Sequence, residues 1–316
     1  MLPESITKRF RRDEPKIKEP WTREDIWRQI GIQFLLLAVL VVVAFPVVWI
    51  LSMALDPRGL SKPDGLNLIP PGASLESFRK VLFDPFQLLC SGQTDDTCMR
   101  FAGLLKNSLL VALGTAVFAV GFGASAAYAF SRFKFIGRQA GMMGFIVLLM
   151  MPSTGLLAPL FVLLSQIRIA DEPMRSTLIG LAVAYAAGAL PFAVWNLKGY
   201  FDTIPKDLEE AALVDGASTI KTFYRIILPL SAPAMAVTTL FSFMTGWTEF
   251  ILAWVFLDNP QRFTLAMALR SMQGQFTTPW AEFAAMSILM SLPILFLFFA
   301  LQRWIVSRLT VGSVKG

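Results

Sequence analysis

Apolar residues along this chain neither alternate nor recur with a short period. They gather into six long runs, at 29–55, 107–131, 139–167, 176–197, 226–257 and 283–301, and Glu249 in the fifth is the one charge inside any of them. A helix rising 1.5 Å per residue needs about 20 apolar residues to cross a hydrocarbon core of ~30 Å, and each run meets that length. The pattern therefore predicts an all-α polytopic membrane protein with six transmembrane helices. Barrel strands would be about 10 residues long and would alternate apolar with polar, which these runs do not. The first run follows 28 mostly polar residues and exceeds a secretory h-region of about 7–15, so it is expected to stay in the mature protein. The expected division is an N-terminal segment 1–28, a six-helix transmembrane domain 29–304 and a tail 305–316.

Charge orients the spans. The segments 1–28, 132–138, 198–225 and 302–316 hold 18 Lys and Arg in 78 positions, against 10 in 84 for the loops on the other side. This excess marks the first set, and with it both termini, as cytoplasmic. The short loop carrying Arg132, Lys134 and Arg138 contains no acid. Just before the first run, Trp21, Thr22, Asp25, Ile26 and Trp27 suggest a short interfacial helix capped by Thr22. The net charge of +6 is spread beside the spans among 22 acids, so it reads as topology and lipid-headgroup contact, with no nucleic-acid partner.

Composition changes the picture mainly by exclusion. Charged residues make up 16% of the chain, against about 25% in soluble domains. There is no histidine, the commonest general base and metal ligand, and no Gly-x-x-x-x-Gly-Lys-Ser/Thr phosphate loop. No metal site, catalytic group or bound cofactor is expected. If ATP drives transport, a partner must bind it with its magnesium. The two cysteines, Cys90 and Cys98, fall in the first external loop on the oxidising side, around the turn-rich run SGQTDDT. A disulfide between them is expected, worth ~2–3 kcal/mol by loop entropy. Glu249 should face protein or water, as a pathway or gate residue or as an acid near the outer surface, because an acid at the bilayer centre costs about 2.5–3.5 kcal/mol. Pro46, Pro152, Pro159, Pro191, Pro229, Pro233 and Pro293, with Gly121, Gly123 and Gly188, are candidate points of helix interruption.

The loop between the fourth and fifth spans is the most informative segment. Pro205 suits a first helical position, Asp207, Glu209 and Glu210 favour a helix N-terminus, and Gly216 can stop the helix in a left-handed conformation. Ser218 or Thr219 can then cap a second helix that carries Ile220, Phe223, Ile226 and Ile227 into the membrane. A short helix with small Ala211 and Ala212, projecting into the cytoplasm, looks made for a partner's groove.

Glu210-Ala211-Ala212, then Asp215-Gly216, then Ile226-Ile227-Leu228-Pro229 resembles the coupling-loop signature of binding-protein-dependent ABC importers in residue type and spacing. Ala126 to Arg132, Lys198-Gly199-Tyr200-Phe201, Phe263-Thr264-Leu265-Ala266 and Gln302-Arg303-Trp304 are similar to MalG-type permeases of maltose/maltodextrin importers. The likeness covers nearly everything after about residue 30; the longer N-terminal segment and the cysteine-bearing first loop depart from it.

The resemblance implies a MetI-like type I importer fold and alternating access. The implied partners are a second, MalF-like permease, an ATPase dimer, a periplasmic or lipoprotein sugar-binding protein, the sugar and membrane lipid. It implies that the loop docks on the ATPase, that Gln273, Gly274, Gln275, Phe276 and Thr277 enter the binding protein's cleft, and that Val314, Lys315 and Gly316 reach between the ATPase subunits. A permease for another sugar such as trehalose is the alternative within the class. An ion-driven carrier is the alternative outside it, and several intramembrane acids would be expected there. A membrane-embedded enzyme would need the paired acids and histidine that are missing.

Overall fold

Helices account for nearly all the regular structure of the computed structural model, which describes residues 23–60, 68–86, 98–169, 171–274 and 278–306. The chain divides between Trp49 and Ile50 into two compact units. In the first, the described part is helix α1 (Arg23–Leu55) as far as Trp49. Its described side chains are exposed except for half-buried Ala44 and Trp49, and they are apolar on every side from Leu35 to Trp49, as a helix surrounded by lipid or by another membrane chain requires. Asp25, Ile26 and Trp27 belong to this continuous helix, so the separate interfacial helix expected around Trp27 is corrected: nothing after Trp27 breaks the helical path. Trp21 and Thr22 lie outside the described residues.

In the second unit, α2 (Glu76–Phe83) is a short amphipathic helix and α3 (Phe101–Arg132) is a long, uninterrupted one. The third apolar run does not form one straight helix. It becomes α4 (Arg138–Met150) and α5 (Leu157–Gln166), joined by a 3₁₀ turn at Ser153–Leu156 and bent by 105°. Pro152 explains the break: it disfavours helical geometry at Met151, whose ψ is 135°, and it has no N–H to continue the ladder. A two-strand antiparallel ribbon, β1 (Arg168–Ile169) with β2 (Glu172–Pro173), then leads to α6 (Leu178–Phe201). Thr177 caps α6 by accepting from the Gly180 amide at 3.0 Å.

The fifth run is interrupted twice. A helical path of α8 (Thr219–Thr222), a π-helical turn (Phe223–Ile227) and α9 (Leu228–Leu230) bends by 81° into α10 (Ala232–Thr248). Pro229 and Pro233 cannot donate to the preceding turn. At the bend Ser231 takes up the slack, with its N–H and its hydroxyl both donating to the Ile227 carbonyl, at 3.0 and 2.7 Å. After Glu249 and Phe250 the short α11 (Ile251–Phe256) completes the run. Helices α12 (Leu265–Ser271) and α13 (Trp280–Val306) follow. Pro46, Pro191 and Pro293 lie inside intact helices. Among the described residues, four helices are long and apolar enough to span alone, or up to six spans result if each bent pair counts as one, which matches the six runs.

Close packing centres on α3. An added Cβ on Gly123 would fall 2.7 Å from the Ala193 Cβ of α6, one on Gly114 would fall 3.1 Å from that of Ala182, and one on Gly246 of α10 would fall 2.9 Å from the Ala112 Cα. Apolar clusters fill the remaining space. One surrounds Trp247, whose indole N–H donates to the Met290 carbonyl of α13 at 3.0 Å, and another surrounds Tyr128, Phe201 and Phe223 at the opposite end of α3.

Candidate functional site

The loop between α6 and α8 is a helix, a turn and a helix. Helix α7 (Asp207–Val214) begins two residues after Pro205, with Lys206 at its N-cap and Asp207, Glu209 and Glu210 in its first turn. Gly216 ends it with φ +79°. The Ala217 amide donates to the Ala212 carbonyl at 2.9 Å and the Gly216 amide to that of Leu213 at 3.0 Å, the paired bonds of a Schellman stop. Between the two expected caps the structure selects Ser218, whose hydroxyl accepts from the Lys221 amide at 3.3 Å.

Helix α7 has two faces. Glu209 and Ala212, three residues apart, are buried against the protein. Glu210, Ala211, Leu213, Val214 and Asp215 are exposed, and Ile220 and Tyr224 beyond the turn are exposed as well. Leu228 is half-buried and Pro229 exposed where the path turns toward α10. The exposed side thus combines two acids, Glu210 and Asp215, with apolar Leu213 and Val214 and small Ala211.

The buried side is held by charge. Arg132, at the end of α3, pairs through its Nε with the Glu209 carboxylate, and its Nη2 donates to the Ile204 carbonyl at 3.0 Å. The Tyr128 hydroxyl, one turn back on α3, donates to the other Glu209 oxygen at 2.8 Å. The Tyr128 ring in turn packs on two others, its centroid 4.8 Å from that of Phe223 and 6.4 Å from that of Phe201. Alongside, Asp202 accepts from the Ser131 hydroxyl and the Lys198 ammonium, each at 2.6 Å. Partial burial pushes the Asp202 carboxyl up, but the hydrogen bonds from Lys198 and Ser131 outweigh it and hold the carboxyl below its ordinary value.

Sequence reading placed Glu210 at the site and passed over Glu209 and its partners. The signal available was spacing: Tyr128 and Arg132 stand four apart on one face of α3, and Glu209 and Ala212 three apart on α7. The remaining candidates are dispersed. Glu249 stands at the break between α10 and α11, where its carboxylate accepts the Ile251 and Leu252 amides at 2.8 and 3.1 Å. Gln273 and Gly274 are exposed, and Gln273 accepts from Arg270 at 2.6 Å. Gln275, Phe276, Thr277, Val314, Lys315, Gly316 and Cys90 lie outside the described residues; Cys98 is buried and disulfide-bonded. Among the described residues no group of His, Cys, Asp and Glu is placed to hold a metal ion.

The model of the binding-protein-dependent transport system inner membrane component family matches residues 119–311, a stretch containing the whole loop, both its helices and the Tyr128 and Arg132 anchors. The chain belongs to that family. Its relatives include the trehalose/maltose transport system permease protein MalG of Thermococcus litoralis, 33% identical over 93% of this chain and 99% of the relative. The maltose/maltodextrin transport system permease protein MalG of Yersinia pestis is 33% identical over 92% of this chain and 94% of its own. In fold, the chain is similar to a chain of a bacterial ABC transporter involved in import of the acidic polysaccharide alginate, with TM-score 0.70, 18% identity, and coverage of 90% and 98%. As an inner membrane component of this family, the chain is a multi-pass, non-catalytic membrane subunit.

Proposed function

We propose that this chain is a permease subunit of an ABC importer for maltose, maltodextrin or a similar oligosaccharide, and that α7 is its coupling helix. The observation that carries the reading is the two-faced α7, anchored inward by Glu209 and presenting Glu210, Ala211, Leu213 and Val214 outward, in a chain of the binding-protein-dependent family. The substrate class rests on the names of the MalG relatives. A second permease completes the translocation path, an ATPase dimer binds ATP and magnesium and receives α7, and an external sugar-binding protein meets the loop 273–279. Both termini are cytoplasmic on the charge count. Trehalose is the second reading, favoured by the trehalose/maltose name of one relative. The test is to purify the intact assembly and measure stimulation of ATP hydrolysis by the binding protein across a panel of sugars. Stimulation by maltodextrins supports the reading; uptake that needs no ATP and follows an ion gradient overturns it.

A further inference from the structure

Among the described residues, three physical connections lead out of α7, and they differ in stiffness. Toward the N-terminus the chain enters α6 through the turn 202–206. Toward the C-terminus it passes a left-handed glycine, a four-residue helix, a π turn and an 81° bend before α10 begins. Each irregularity on that path can absorb displacement. The third connection runs through side chains: Glu209 is tied to Arg132 and Tyr128 of α3, with side-chain exposures of 8% for Arg132 and 11% for Glu209. Arg132 also grips the Ile204 carbonyl and donates to Ser131 at 3.1 Å. An ion pair this deeply buried acts at a lower effective dielectric than a surface pair, and separating its charges costs more than it would at the surface.

Helix α3 is suited to receive the movement. It is unbroken from Phe101 to Arg132, and its close approaches to Ala193 of α6 and Gly246 of α10 leave no room for sliding without repacking both neighbours. We infer that Arg132 is the positioning residue that makes α7 and α3 move as one body, so that displacement of the coupling helix enters the membrane through α3 as well as through the bent chain path to α10. This inference rests on the reading of α7 as the coupling helix.

The test uses the complete transporter and reads sugar molecules imported per ATP hydrolysed, a ratio that is insensitive to the amount of assembly. Three variants are compared with the parent: the double neutral variant Arg132→Met with Glu209→Gln, which leaves no unpaired charge; Arg132→Lys, which keeps the charge without the planar fork; and Tyr128→Phe, which removes one hydrogen bond and keeps the ring. Glu210 and the outer face are untouched, so capture of the ATPase is expected to be unchanged. The import-to-hydrolysis ratio is expected to fall at least tenfold in the double variant and severalfold in the other two. Wild-type ratios in the double variant overturn the inference. Should the double variant fail to assemble, a wild-type ratio in Tyr128→Phe overturns it and a lowered one supports it. Failure of the parent chain to capture the ATPase would instead strike at the coupling role of α7 itself.

Discussion

The hydroxyl of Tyr185 on α6 donates to the backbone carbonyl of Glu249 at 3.2 Å, fixing the point where α10 stops and α11 starts. A helix break frees amides and carbonyls that an apolar setting cannot satisfy with water. At this break the Tyr185 phenol takes a carbonyl and the Glu249 carboxylate takes two amides. Glu249→Gln retains an acceptor oxygen and is expected to unfold close to the parent. Glu249→Ala leaves the amides of α11 without their cap and is expected to cost about 0.5–2 kcal/mol. Thermal unfolding in detergent compares the two; equal midpoints for Ala and Gln would show that the capping bonds contribute nothing.

Gly216 is the case where strain can be separated from crowding. Its φ of +79° disfavours any residue with a Cβ, yet a Cβ built there meets nothing within 4 Å. Gly216→Ala and Gly216→Val are therefore both expected to destabilise the turn by about 1–2 kcal/mol from the backbone alone. Gly216→Asn, which tolerates the left-handed region, should lie nearer the parent. The measurement is amide exchange of α7 in the three variants, with faster exchange expected for Ala and Val; protection equal to the parent in Val would remove the strain argument.

The fold was legible wherever local pattern decided it. The six apolar runs and the stop at Gly216 follow from hydropathy and from a residue with one conformational use, while the cap stayed open between Ser218 and Thr219 until the structure selected Ser218. Proline position was ambiguous because the consequence depends on context: Pro152 breaks its run, while Pro191 and Pro293 lie inside intact helices. The inward side of the site was hidden because Arg132 and Glu209 are 77 positions apart; in sequence Arg132 reads as a topology charge and Glu209 as one of three acids at a helix N-terminus.

Asp202 gives the contacts it makes with Ser131 and Lys198 beside α7 an acid limit. Its folded pKa lies below the ordinary carboxylate value of 3.8, so its contribution is complete above that value and is lost as pH falls through the lower, folded one. Unfolding midpoints measured at pH 5 and pH 3 are expected to fall for the parent, and to fall less for Asp202→Asn, which cannot titrate. Identical losses in both would mean that Asp202 is not coupled to folding.

Small residues around α3 make opposite demands. In Gly246→Ala the new methyl would lie 2.7 Å from the Thr115 hydroxyl and 2.9 Å from the Ala112 Cα, so the cost is expected to be about 1–3 kcal/mol by overpacking. Gly188, inside α6, has nothing within 4 Å of the same added carbon, and Gly188→Ala should gain roughly 0.5–1 kcal/mol from helix propensity. Thermal unfolding of the pair in one detergent reads both signs; a stabilised Gly246→Ala would show that α3 and α10 are less closely packed than described.

Glu210 and Glu209 are neighbours in sequence with opposite surroundings, and that contrast tests the proposal that the outer face of α7 meets an ATPase. Glu210 is exposed in the first turn of the helix, where a negative charge is favourable and a positive one is not. Reversing it in Glu210→Lys leaves the Arg132 pair intact, so insertion and helix formation are expected to persist with a loss of about 0.3–1 kcal/mol in the isolated chain. If the outer face docks on a basic groove, the same reversal places like charges together and should weaken ATPase capture at least tenfold, with a salt dependence opposite to the parent's. Pull-down of the ATPase at low and high salt separates the outcomes. Parent-like capture by Glu210→Lys at both would mean that the ATPase does not meet this face of α7.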